Sequence, residues 1–148
     1  MAYITPAQIY AKIPQPKVND ALDDVGDGNA ATIQQNLDQI IANAGTAVDG
    51  RLGARYATPF VLNANNAYPA IVVEAALIFA CEEIYKRREI AGVKNPFGTE
   101  ADNLRKRLDD IAWRNMPLDA TIEEDLVAAA GTNAYVPGRI TQNPAITY

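Results

Sequence analysis

A chain of 148 residues, 49% hydrophobic and 21% charged, has room for one hydrophobic core and the makeup of a folded protein, which excludes wholesale disorder. Its net charge of −5 repels nucleic acid as a whole, so any contact with DNA has to be local or indirect. There is no histidine, which removes Ser-His and Cys-His nucleophile pairs, histidine metal sites and the commonest general base.

The opening Met1-Ala2-Tyr3-Ile4-Thr5-Pro6 lacks the basic stretch and long apolar run of a signal peptide. Thr5 reads as an N-cap and Pro6 as the first helical residue, where a missing N–H is harmless. Ile9, Tyr10 and Ile13 follow at helical spacing, and this short helix is expected to stop before Pro14 and Pro16. From Asn19 to Asn29 the abundance of Asp and Gly predicts a loop. Thr32 and Gln35 then stand in a capping-box relation. Ile33, Leu37, Ile40, Ile41, Ala44, Val48 and Leu52 line one stripe of a long amphipathic helix. Gly45, Gly50 and Gly53 weaken that helix by up to about 1 kcal/mol each, and close approach of a neighbouring backbone is the expected compensation.

Thr58-Pro59 should end the helix, with a polar loop through Asn63, Asn65, Asn66 and Tyr68 before Pro69 starts another. Ala70 to Cys81 is apolar on nearly every side apart from Glu74, the pattern of a helix enclosed by neighbours. It falls well short of the roughly 20 residues that cross a bilayer. Beyond Cys81, Ile84, Tyr85 and Ile90 are apolar while Glu82, Glu83, Lys86, Arg87 and Arg88 are expected to be solvated, up to a C-cap at Gly92. Thr99 with Asp102 resembles another cap, and Ala101, Leu104, Leu108, Ile111 and Ala112 form the stripe of a last helix ending before Pro117. The fold expected is mainly all-α, a small four-helix core with long loops over residues 1–118. A C-terminal arm over 119–148, its apolar residues scattered among Gly, Pro, Asn and Thr, is expected to be extended or ordered by a partner, with an ordinary disordered terminus as the equal alternative.

Several patterns that could carry chemistry have simpler readings. Cys81 lies in the most apolar segment, where burial leaves a thiol inert, and a lone cysteine suits a reducing, cytosolic origin. Asp23-Asp24-Val25-Gly26-Asp27-Gly28 has aspartates spaced as at positions one and five of a calcium loop. Val25 and Gln34, however, occupy positions where ligands belong, so a turn leading into a helix is the better reading. Glu82-Glu83 and Asp109-Asp110 read as surface pairs, because adjacent side chains diverge on a helix. No catalytic, cofactor or metal residue is assigned. Charge is segregated: eight of the 13 basic residues fall between Lys86 and Arg114, and four acidic and no basic residues lie between Met116 and Gly138. Solvated helix faces account for this, and complementary docking between identical neighbours or onto a partner is the sharper alternative.

Tyr3-Ile4-Thr5-Pro6-Ala7-Gln8-Ile9, the Asp-Gly loop and the helix ending in residues 48–60, Val-Asp-Gly-Arg-Leu-Gly-Ala-Arg-Tyr-Ala-Thr-Pro-Phe, are followed by Pro69 and an apolar helix reaching Ile84-Tyr85-Lys86-Arg87-Arg88. In that order they resemble the Mu gp36-like family of tailed-phage proteins, which is similar to the head-tail connector, or head-completion, proteins. The resemblance spans Tyr3 to Leu118. It implies a virion protein of the head-tail junction, assembled in the host cytoplasm as a ring of twelve copies between the portal and the tail or neck proteins. DNA would pass through its lumen without sequence-specific binding, and no membrane, cofactor or catalysis is involved. Binding would rest on apolar anchors, for which Phe60, Tyr68, Phe97 and Trp113, and in the arm Tyr135, Val136, Ile140, Ile146 and Tyr148, are candidates. The first four could equally be core. Two rival readings predict different behaviour: a monomeric helical binding module of a phage or cellular regulatory pathway, and a metal-dependent enzyme built on the acidic loop.

Overall fold

Thr5 and Pro6 do start a helix, α1 (Pro6–Lys12), and the Thr5 amide donates to the Gln8 side-chain oxygen at 2.7 Å. The computed structural model describes residues 2–87, 94–114, 116 and 118. Within them the chain forms α1, α2 (Gln15–Leu22), α3 (Ala30–Leu52), α4 (Ala70–Arg87) and α5 (Gly98–Trp113), with no strand among the described residues. The fold is thus helical, as the patterning implies, but with five helices where four were expected.

The additional helix is α2. Pro14 and Pro16 do not break the chain there: Pro14 is the N-cap residue, Pro16 lies in the first turn, and the Pro14 carbonyl accepts the amides of Lys17 at 2.9 Å and Val18 at 3.2 Å. A proline in the first turn lacks only an N–H that has no intrahelical acceptor. Val18, Ala21 and Leu22, at helical spacing, are buried. The loop expected from Asn19 is therefore shorter and begins at Asp23.

The cap of α3 is Asn29 rather than the Thr32 and Gln35 pair. Its side chain accepts the amides of Ala31 at 3.0 Å and Thr32 at 3.4 Å, the bonds an N-cap supplies to otherwise unpaired donors. Six of the seven predicted stripe residues, Leu37 to Leu52, are buried, and Ile33 packs at the margin of the core. Gly45 is buried with them. A Cβ at Gly50 would meet open space, and one at Gly53 would lie 2.9 Å from the Asp49 carbonyl of its own chain. Close approach of a neighbouring backbone therefore does not explain either glycine. The helix stops at Leu52, before Thr58-Pro59, because the chain turns back on it: the Leu52 carbonyl accepts from Arg55 and Tyr56 at 3.0 and 2.9 Å.

The polar loop before α4 is organised by Asn63, whose buried side chain accepts the amides of Asn65 at 2.9 Å and Ala67 at 3.0 Å. Pro69 then opens α4, its carbonyl accepting from Val72 and Val73. As the apolar pattern predicts, α4 is the central helix: it packs against α1, α2, α3 and α5, and the run from Ile78 to Glu82 is entirely buried. Arg88, Ile90 and the Gly92 cap lie outside the described residues. α5 starts at Gly98, capped at Phe97 and not by Thr99 and Asp102; Asn95 accepts the Phe97 amide at 3.0 Å and donates to the Glu82 carbonyl at 3.1 Å. Its five predicted stripe residues are buried.

Long-range polar ties fix the relative directions of the helices. Asp24, just before α3, pairs with Arg87 at the end of α4 at 3.3 Å, so these two packed helices run antiparallel. Arg51, at the end of α3, pairs with Asp109 near the end of α5 at 2.8 Å, so these two run the same way. One end of the molecule thus holds the Asp-Gly loop and the C-terminal end of α4. The other holds the last turns of α3 and α5.

Candidate functional site

The Asp-Gly loop shapes itself. Asp23 accepts the amides of Gly26 at 2.8 Å, Asp27 at 3.2 Å and Gly28 at 2.9 Å, and Asp27 accepts that of Asn29 at 2.9 Å. These amides, led by that of Gly28, hold the Asp23 carboxyl below its usual range. Gly26 and Gly28 take φ of 75° and 69°, a conformation that disfavours a side chain. Both Asp23 oxygens are thus turned inward on the main chain, and Asp24 is engaged by Arg87 and by the Asn36 amide at 3.2 Å. Among the described residues no group of three or more His, Cys, Asp or Glu is placed to hold a metal ion.

The other expected features separate into core and surface. Cys81 is buried, and burial pushes its thiol up to about 12, far from the thiolate that reacts. Glu82 is a correction: it is buried, held by both nitrogens of the Arg105 fork, and reached by Lys86 at 3.3 Å. The arginine also pairs with Asp102 at 2.8 Å and lies 5.0 Å from the Phe79 ring centroid. Glu82's hydrogen bond holds the guanidinium above its ordinary value. Glu83 is exposed, whereas Asp109 and Asp110 are half-buried and engaged by Arg51 and Arg114. No helix among the described residues is long and apolar enough to cross a membrane.

Of the four candidate anchors in the helical part, Phe60 is fully buried, Tyr68 and Phe97 are half-buried, and Trp113 is 69% exposed. Phe60 is therefore core in this structure. Its ring lies 6.3 Å from that of Tyr3 and 6.0 Å from that of Tyr56, and Tyr68 packs edge-on to Tyr3 at 4.9 Å. Phe97 packs on Tyr85 at 5.5 Å. The five arm residues, Tyr135, Val136, Ile140, Ile146 and Tyr148, lie outside the described residues.

Two polar arrangements at the Trp113 end escaped the sequence reading. The Tyr3 hydroxyl donates to Asp49 at 2.5 Å and accepts the buried Phe60 amide at 2.8 Å. Burial, followed by the bond to Asp49, raises the phenol above its ordinary value; burial likewise raises the Asp49 carboxyl, against the lowering effect of the Tyr3 bond. Arg55 reaches across to α5 and donates to the carbonyls of Ile111 at 3.0 Å and Met116 at 2.5 Å, next to the buried Leu118. No local signal announces either, because the partners stand 46 and 56 or more positions apart.

Among the described residues, the large apolar side chains left exposed are Val25, Leu62, Trp113 and Met116. Val25, at the apex of the Asp-Gly loop, is 76% exposed, and Trp113 and Met116 are exposed at the opposite end. A family model described as Bacteriophage Mu, Gp36 matches residues 3–136. The chain belongs to this family. Membership makes it a bacteriophage protein and supports a structural, virion-related role. The family match begins where the resemblance was placed, at Tyr3, but continues past Leu118. It takes in the acidic Glu123-Glu124-Asp125 and the candidates Tyr135 and Val136, so the expectation that the arm lies wholly outside the family is corrected. None of the curated proteins matches this Gp36 family member.

Proposed function

We propose that this protein is a head-tail connector, assembled as a ring of identical subunits between the portal of the packaged head and the tail. The observation that carries this reading is the Gp36 family match over residues 3–136. The structure is compatible with it in two respects. Its helices are joined by side-chain ties across long sequence separations, such as Arg51 to Asp109 and Arg105 to Glu82. Among the described residues, exposed apolar side chains include Val25 at one end and Trp113 and Met116 at the other, an arrangement that suits a subunit with two neighbours.

The ring would hold twelve copies to match a portal, at the head-tail junction of the virion, after assembly in the host cytoplasm. A net charge of −5 suits a lumen that lets DNA slide, since a basic lining would grip phosphate. The arm beyond Leu118 would fasten the subunit to its neighbours, the portal or the tail proteins.

Native mass spectrometry of the chain mixed with the portal protein of the same genome tests this. A discrete complex with one copy per portal subunit is expected, and truncation after Leu118 should weaken it. A chain that remains unbound and monomeric would overturn the connector reading in favour of a monomeric helical binding module.

A further inference from the structure

Among the described residues, none covers the solvent side of α5. Lys106 and Trp113 are seven residues apart on it, close to two helical turns, and Arg107 and Arg114 flank them; all four are exposed. The acidic side chains nearby are spoken for: Asp102 by Arg105, Asp109 by Arg51 and Asp110 by Arg114. Lys106 and Arg107 have no acidic partner among the described residues, so α5 presents two unmatched cations about two turns before an exposed indole.

The complement of that face is on the same molecule, out of its reach. The Asp-Gly loop carries Val25 at its apex with Asp27 beside it, and the Asp23 bonds hold the loop in a fixed shape. The loop precedes α3 and is tied to the end of α4 by Arg87, whereas Trp113 lies at the far end of α3, where Arg51 and Arg55 grip α5. The 23 residues of α3 separate them by roughly 34 Å. A tip and a face that match in charge and apolar character but sit at opposite ends can meet only between two molecules. Such a head-to-tail contact generates closed rings when its rotation closes.

We infer that the Val25–Asp27 tip of one copy docks on the Lys106, Arg107 and Trp113 face of the next, and that this is the repeating contact of the ring. The inference rests on the connector reading and supplies the surface through which its subunits join.

Two variants test it, because each spoils one surface and leaves the other. Val25→Ser with Asp27→Asn blunts the tip while keeping an acceptor for the Asn29 amide. Lys106→Glu with Arg107→Glu and Trp113→Ala spoils the face. Far-UV circular dichroism verifies that both remain helical, since every altered side chain is exposed. In sedimentation velocity each variant alone should stay monomeric, and an equimolar mixture should yield a one-to-one dimer that grows no further and dissociates as salt is raised. If both variants still assemble like the wild type, or if the mixture gives no dimer while the wild type fills the portal, the contact is wrong and the connector reading survives. If the wild type neither assembles nor binds the portal, the connector reading falls and the inference with it.

Discussion

The loop before α3 is held together by its own main chain, whereas the turn after α3 is held by side chains that arrive from distant parts of the sequence. Asp23 bonds amides three to five positions away, and Asp49 bonds a tyrosine 46 positions away. The same residue type is driven in opposite directions: main-chain amides lower the Asp23 carboxyl, and burial raises that of Asp49. The contrast separates a region that can be changed with local consequences from one whose loss loosens the whole core.

The largest test of that contrast is at the second region. Phe60→Ala removes a fully buried ring and should cost about 3–5 kcal/mol, read as a shift in urea midpoint. Tyr3→Phe keeps the ring but deprives Asp49 and the buried Phe60 amide of their partner, for about 2 kcal/mol. Neither should alter the structure of the Asp-Gly loop.

Glycines sharpen the comparison through the sign of the effect. Gly28→Ala places a side chain at a φ of 69°, a strain of about 1 kcal/mol, although space is open around it. Gly50→Ala adds a methyl group to open space near the end of α3 and should stabilise by up to about 1 kcal/mol. Thermal denaturation of the two variants should therefore move in opposite directions.

The smallest effects are in pH dependence. A lowered carboxyl contributes stability above its unfolded value and loses it as pH falls through the folded one, so the advantage of wild type over Asp23→Asn should shrink below about pH 4. A raised carboxyl binds its proton more tightly when folded, so the Asp49 contribution declines as pH rises above about 4. Relative to wild type, Asp49→Asn should therefore fare better near neutral pH than in acid, while keeping an acceptor for the Tyr3 hydroxyl. Urea titrations at several pH values check both signs.

The same division governs what can be read from the sequence. Stripes along α3, α4 and α5 were legible because burial follows helical period, and α4 was recognisable as central from its apolar surround. α2 is masked in the sequence because Pro14 and Pro16 carry the signal of helix breakers, although Val18, Ala21 and Leu22 have helical spacing. Thr32 and Gln35 satisfied a capping pattern, yet Asn29 caps α3, since an asparagine needs only one side-chain oxygen to do so. Glu82 passed for a surface residue because the arginine that neutralises it is 23 positions away. Of the candidate anchors, composition alone could not separate the buried Phe60 from the exposed Trp113, because both are large aromatic residues that suit a core and an interface equally.

Arg55 has a mechanical consequence. Its guanidinium grips the carbonyls of Ile111 and Met116, and Leu118 is seated in the core just beyond. Arg55 stands in the turn just after α3, so the end of α5 and the residues that follow it are anchored to that turn as well as to the core.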